Sequence, residues 1–325
     1  MLSRRLILGV GAALLAGALA LPATAADLDT VTVDWAYYNP VSLVLKKEGW
    51  LEEALKPDGI QVQWVQSLGS NKALEFLNAG SLDFGSTAGA AALLAKVNGN
   101  PIETVWIYSK PEWTALVTRP DSGIAKVEDL KGKRIAVTKG TDPYIFLLRA
   151  LEKHGLGAGD VDLVLLQHDQ GRAALERGDV DAWAGLDPMM ADVELSRGFP
   201  LFYRDADANS YGVLNVREAF AAEHPEIVEK VLTVYERGRA WALANPDELA
   251  KLLAGVAKLP EPVAAQQLGR TQFVDPRPGD AQRQTILAAG EALQSGGVIK
   301  PEVDVAATVD ALLQPGFAAK ISTAP

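Results

Sequence analysis

Short β-branched or aromatic runs that alternate with longer helical patterns constrain this chain most, because such alternation calls for parallel strands joined by crossover helices. Residues 31–36 open as a strand, and Asn39-Pro40 then reads as a helix N-cap followed by a first-turn proline, with the helix running toward Gly49. Strands over 60–65 and 81–85 alternate with helices over 70–78 and 87–97. After Pro120 a second cycle places strands at 135–137, 161–166 and 182–184, with helices at 143–154 and from Asp187-Pro188 onward. From Pro225 the pattern turns helical, over 227–244, 246–256, 263–267, 283–295 and 305–313. The fold class expected is α/β.

The first residues read as an export signal. Arg4 and Arg5 precede an uncharged apolar run over 6–21, and Pro22-Ala23-Thr24-Ala25-Ala26-Asp27 supplies a small-residue cleavage site. The run is shorter than the roughly 20 residues a bilayer requires, so a cleaved signal peptide over 1–26 is expected rather than a stable membrane insertion. Ser3-Arg4-Arg5-Leu6 also fits a twin-arginine signal, which leaves the export route open. The chain has no cysteine, which excludes a lipid-anchored N-terminal Cys, a disulfide, a thiolate metal site and a Cys nucleophile.

The 31 basic and 41 acidic side chains give a net charge of −10, and loss of residues 1–26 deepens it, which argues against nucleic acid and anionic membranes as partners. At 325 residues the chain exceeds what one hydrophobic core usually supports. No low-complexity linker separates its parts, so two lobes joined by ordered extended strands near 114–118 and 211–216 are expected. The first lobe is then discontinuous, 27–115 with 215–325, the second spans 116–214, and the protein is expected to be a monomer.

Groups that could do chemistry are sparse. His154, His168 and His224 each stand alone, and a solvated surface position is expected for all three. In Gly85-Ser86-Thr87-Ala88-Gly89 the serine is one position early for a nucleophile elbow, and no Walker A, His-Glu-x-x-His or calcium-loop motif is present. No enzyme, catalytic residue, cofactor or metal site is therefore expected.

What recurs is a strand followed by a polar turn and a helix start, at Asn39-Pro40, Gly69-Ser70-Asn71, Gly85-Ser86-Thr87, Gly140-Thr141-Asp142-Pro143 and Leu186-Asp187-Pro188. Each is an ordinary N-cap taken singly. Together, at the carboxyl edge of consecutive strands, they make an anion trap of free N–H groups and hydroxyls that needs no buried lysine. Tyr37, Tyr38, Trp106, Tyr108, Trp113, Tyr144, Trp183 and Tyr211 lie near these edges. Trp113, Tyr144 and Trp183 are candidates for apolar walls, with core packing as the alternative. Asp142 and Asp187 either cap helices or pair with an amine.

Lys110-Pro111-Glu112-Trp113-Thr114-Ala115-Leu116-Val117, the stretch from Val127 to Thr141 containing Leu130-Lys131-Gly132-Lys133, and Arg172 to Ala184 ending in Asp181-Ala182-Trp183-Ala184 closely resemble the aliphatic sulfonate-binding proteins of ABC importers. Asn78-Ala79-Gly80-Ser81-Leu82-Asp83-Phe84-Gly85 and Asp187-Pro188 fit the same pattern. The resemblance implies a type II periplasmic-binding-protein fold, two lobes with mixed sheets joined by two crossing strands. It also implies a periplasmic location and delivery of solute to a membrane permease with a cytoplasmic ATPase. Related nitrate, taurine and thiamine-precursor binders share this framework. The site residues it implies are Ser70, Ser86, Thr87, Gly140, Thr141, Trp183 and Asp187, joined by Asn39, Asn71, Trp113, Asp142, Tyr144 and Tyr211 from the reading of the loops. The ligand expected is a small organosulfonate, with taurine, nitrate, an aromatic carboxylate or a pyrimidine as alternatives; a pyrimidine-synthesis-type enzyme of the same fold is the remaining rival.

Overall fold

The computed structural model describes residues 28–323, so the export signal expected over 1–26 lies outside the described residues. Its first cycle runs β1 (Thr30–Trp35), α1 (Pro40–Glu48), α2 (Trp50–Leu55), β2 (Gln61–Gln66), α3 (Ser70–Asn78), β3 (Phe84–Ala88), α4 (Gly89–Val97) and β4 (Ile102–Pro111). The second runs β5 (Leu116–Thr118), β6 (Arg134–Val137), α5 (Asp142–Lys153), β7 (Asp162–Leu165), α6 (His168–Arg177), β8 (Ala182–Ala184), α7 (Met189–Arg197) and β9 (Leu201–Tyr203). The chain then returns through β10 (Gly212–Arg217), α8 (Glu218–Glu223), α9 (Pro225–Ala244), α10 (Pro246–Ala257), α11 (Glu261–Gly269), β11 (Thr271–Gln272), α12 (Asp280–Ser295), α13 (Val305–Leu312) and α14 (Pro315–Ala318).

The strands form two sheets. One has the order β11-β4-β10-β3-β1-β2, the other β7-β6-β8-β5-β9. Both are mixed: β1 pairs parallel with β2 and β3, and β6 with β7 and β8, while β10 and β5 are antiparallel to their neighbours. Helices cover the sheets and bury their apolar strands; Val31, Val33, Phe84, Val105 and Ile107 of the first, and Val117, Ile135 and Ala136 of the second, lose all contact with solvent.

Local chemistry sets the helix ends. Asn39 caps α1 by accepting from the Ser42 N–H at 3.3 Å, Pro40 occupies the first turn, and Gly49 closes the helix in a left-handed conformation. The sheets exchange the chain twice, between Pro111 and Leu116 and between Tyr203 and Gly212. β5 and β10 lie where crossing strands were expected, yet each pairs within a single sheet, so the crossings themselves are the segments 112–115 and 204–211 that precede them. These two segments are tied to each other. Arg204 donates to both Glu112 carboxylate oxygens at 2.8 and 2.6 Å, and the Thr114 N–H donates to Asn209 Oδ1 at 3.0 Å.

One boundary differs from the sequence expectation with a consequence for the site. A strand was expected over 81–85 and a helix from 87; β3 instead continues through Ala88. The reason is tertiary: β10 pairs with it over Val213↔Thr87 and Leu214↔Ser86, and this ladder overrides the turn-forming preference of Ser-Thr.

Candidate functional site

The polar strand ends divide into two groups. In the first, Asp34 of β1 is fully buried and its Oδ1 accepts from both the N–H and the hydroxyl of Ser86, at 2.8 and 2.7 Å. Asn39 Nδ2 donates to Ser86 Oγ at 2.7 Å, and the Tyr38 hydroxyl donates to the Ser86 carbonyl at 3.0 Å. Burial pushes the Asp34 carboxyl up to about 6 against the pull of these donors. Thr87 is occupied likewise: its Oγ1 accepts from Asn215 Nδ2 at 2.7 Å and donates to the Ala88 carbonyl at 3.1 Å. Ser86 and Thr87 therefore sit inside a strand with committed hydroxyls rather than at a helix start with free ones, and Asn39 belongs to the same buried column.

The second group encloses space. Tyr38, Ser70, Trp113, Thr141, Asp142, Pro143 and Leu186 surround a small cavity of about 10 Å3. Ser70 begins α3 and its Oγ accepts from the Ala88 N–H at 3.0 Å, which leaves its own proton to donate. Thr141 precedes α5, and its hydroxyl is committed to the Thr138 carbonyl at 2.6 Å. Gly140 just before it adopts the left-handed backbone (φ +79°) that turns β6 into α5. The N–H groups of Ser70, Asn71, Thr141 and Asp142 come too early in their helices to have intrahelical acceptors. The cavity is thus flanked by two positive helix ends, one from each sheet.

Asp142 is the anchor of this arrangement. Its Oδ2 accepts from Trp113 Nε1 at 2.8 Å and the Ser210 N–H at 2.9 Å, and its Oδ1 accepts from the Ser210 hydroxyl at 2.7 Å. Trp113 lies on one crossing and Ser210 on the other, so a single carboxylate fixes both to the start of α5. Burial raises its pKa, opposed by these donors. The Trp113 ring meets Tyr38 edge-on, with centroids 6.0 Å apart.

The remaining expected residues scatter. Asp187 accepts from the Ala191 N–H at 2.9 Å as a helix cap, and its Oδ2 lies 3.5 Å from Arg270 Nη1; burial pushes the carboxyl up to about 7 despite that guanidinium. Arg270 also pairs with Glu194. Trp183 is fully buried within the core of the second sheet beside Gly171, and does not line the cavity. Tyr144 is buried on α5, and Tyr211 is half-buried beneath the Lys110 ammonium, 4.9 Å from its centroid. Asn71 points a buried Oδ1 with no hydrogen-bond partner.

His168 departs from the surface position expected of it. It is 2% exposed, both ring nitrogens lack partners, and burial alone lowers its pKa to about 3. His154 is partly exposed beside Glu128, in keeping with a surface position. Leu186 and Pro143 were absent from the candidate set; each flanks an expected aspartate, which is the signal that could have included them. Among the described residues no cluster of His, Asp or Glu could hold a metal ion, and no helix is long and apolar enough to cross a membrane.

The profile of a family described as NMT1/THI5 like matches residues 42–249, most of the described chain. The chain belongs to that family. Two relatives that are similar to it over about three quarters of the chain are named for binding aliphatic sulfonates. The Bacillus subtilis (strain 168) protein is 31% identical over 71% of this chain and 70% of its own length, and that of Escherichia coli (strain K12) is 30% identical over 74% and 76%. A solved structure, the alkanesulfonate-binding protein of Xanthomonas axonopodis pv. citri bound to MOPS, superposes with a TM-score of 0.81 at 25% identity, covering 89% of this chain and 99% of that one. This member of the family has the periplasmic-binding-protein fold.

Proposed function

We propose that this protein is the extracytoplasmic solute-binding component of an ABC importer and that it captures a small organosulfonate by closing two lobes. The lobes are built on the two sheets, 28–111 with 212–323 and 116–203, and are joined by 112–115 and 204–211. The observation that carries this reading is the cavity where the starts of α3 and α5, one from each sheet, meet over Trp113.

A sulfonate presents three acceptor oxygens sharing one charge. The N–H groups of Ser70, Asn71, Thr141 and Asp142 and the Ser70 hydroxyl offer donors to it without a neutralising side chain, and charge-assisted bonds of this kind are the strong ones. Trp113, Tyr38, Leu186 and Pro143 cover the carbon skeleton. Such an apolar wall favours a solute with carbon over nitrate. At about 10 Å3 the cavity has room for little more than one water as it stands, so a sulfonate enters only when the lobes part. Asp142 is satisfied by the chain's own donors, so it serves to hold the cleft rather than to select an amine, and both kinds of sulfonate are admitted.

The name of the Xanthomonas structure supports the ligand class, since MOPS carries a sulfonate. Capture outside the cytoplasm implies hand-over to a membrane permease driven by a cytoplasmic ATPase, with residues 1–26 removed on export. No residue is assigned to catalysis. Protein purified from its host under native conditions and then denatured should release a sulfonate identifiable by mass spectrometry. Release of a pyrimidine or an aromatic carboxylate instead would overturn the ligand assignment.

A further inference from the structure

His168 lies where no exposed loop should bury a side chain. The chain on either side is open to solvent: Leu165 is 56% exposed and Asp169 is exposed, while Leu68, beside the surface His168 faces, is 54% exposed. Yet the imidazole is sealed at 2% exposure, and what seals it comes from the other sheet. A Cβ placed on Gly69, in the turn between β2 and α3, would stand 3.0 Å from His168 Nε2, 3.1 Å from its Cδ2 and 2.9 Å from Asn71 Oδ1. Gly69 has φ of 164°, extended backbone that any residue adopts. Glycine is needed there for space alone.

Topology says where this contact sits. β2 is an edge strand of the first sheet and β7, which leads into α6, an edge strand of the second. The crossings leave from β4, β5, β9 and β10, toward the opposite side of each sheet. The ring of His168 therefore meets Gly69 at the mouth of the cleft, as far from the crossings as the sheets extend. Ser70 and Thr141, which line the cavity, are next in sequence to Gly69 and to Gly140, and a Cβ on Gly140 would lie 3.6 Å from Asn71 Cβ.

We propose that His168 and Gly69 form a clasp across the mouth of the cleft, which holds the lobes shut over the solute and makes His168 a positioning residue for capture. This rests on the reading of the protein as a two-lobed solute trap. The ring fills the gap between the lobes only when they are closed, and it fits only because position 69 carries no side chain. Closure buries both ring nitrogens and Asn71 Oδ1 without partners. The clasp is thereby kept weak enough to open, since unpaired buried polar groups oppose the contact they sit in.

The absence of cysteine makes the test direct. Asn78→Cys and Arg177→Cys, at the far ends of α3 and α6, accept a dye pair whose energy transfer reports lobe separation. Ethanesulfonate is the probe. The parent should shift to high transfer as ethanesulfonate is added. Gly69→Ala should need at least about tenfold more of it, because the closed population falls. Adding His168→Ala to Gly69→Ala should bring the requirement to within about threefold of that of His168→Ala alone, since the added methyl then meets only Asn71 Oδ1, the end of a side chain that can turn aside. The proposal is overturned if Gly69→Ala closes like the parent, or if its defect persists unchanged without the ring. A parent that never responds to ethanesulfonate contradicts the functional reading instead. The clasp is then judged on the ligand-free protein, where Gly69→Ala must lower the transfer and the double variant restore it; unchanged transfer in both overturns it.

Discussion

Asp34 and Asp142 are both buried carboxylates that close on a serine through its N–H and hydroxyl, yet they act on different scales. Asp34 and Ser86 belong to adjacent strands of one sheet, and their pairing fixes the interior of one lobe. Asp142 and Ser210 belong to the start of α5 and to a crossing segment, and with Trp113 they fix one lobe against the links to the other. Identical local chemistry is structural in the first case and sets the geometry of the cleft in the second. What separates them is whether the partners are joined by a strand ladder or across a joint.

Asp142→Ala should have the largest effect. It leaves the Trp113 indole, the Ser210 N–H and the Ser210 hydroxyl unpaired, at a cost of about 1–3 kcal/mol for each donor that stays buried and unsatisfied. Thermal unfolding should shift downward and calorimetric binding of ethanesulfonate should disappear at the same time. A variant that lost stability but kept affinity would place Asp142 in the same class as Asp34.

Next in size is a contrast between two serines. Ser70→Ala removes a hydroxyl whose proton is uncommitted, so affinity should fall by about 1.5–3 kcal/mol, tenfold or more, beside a loss of stability of about 1–3 kcal/mol from the Ala88 N–H left unpaired. Ser86→Ala should lower stability by about 1–2 kcal/mol through the orphaned Asn39 amide and Asp34 carboxylate while leaving affinity nearly as it was. Equal effects of the two on binding would erase the distinction drawn between β3 and the start of α3.

This contrast also marks how far the sequence could be read. The alternation of strands and helices and the Asn39-Pro40 cap with Gly49 at the other end were legible, because each depends on neighbours a few residues away; the common cavity of Ser70, Trp113, Thr141 and Asp142 followed only from setting polar turns along one edge of the sheets. Ser86 and Thr87 were misplaced because β10, more than a hundred residues later, extends β3 past its turn-like residues. His168 was read as a surface residue because the Gly69 turn that covers it lies in the other sheet's half of the chain. Trp183 shows a turn-proximal aromatic resolved as core, the alternative its three-residue strand left open.

The smallest effect concerns pH. His168 has its pKa lowered to about 3 when buried in the closed cleft, below the value of about 6.5 for an exposed ring in the open one. The closed state excludes the proton, so closure is fully favoured above about pH 6.5 and weakens as pH falls below it. At pH 5.5 affinity should be about tenfold lower than at pH 7.5 by this group. Asp34 and Asp187, raised toward 6 and 7, titrate in the same range, so the diagnostic quantity is the difference between the parent and His168→Leu. Parallel pH profiles for the two would remove His168 from the closure equilibrium.

Titration calorimetry of the parent protein with ethanesulfonate at pH 7.5, set beside nitrate, shows whether the helix starts of the two lobes capture a sulfonate. Saturable one-site binding of ethanesulfonate is expected, with a much weaker response to nitrate, which has no carbon skeleton for Trp113 to cover. Tight nitrate binding with no heat from ethanesulfonate or taurine would contradict sulfonate capture.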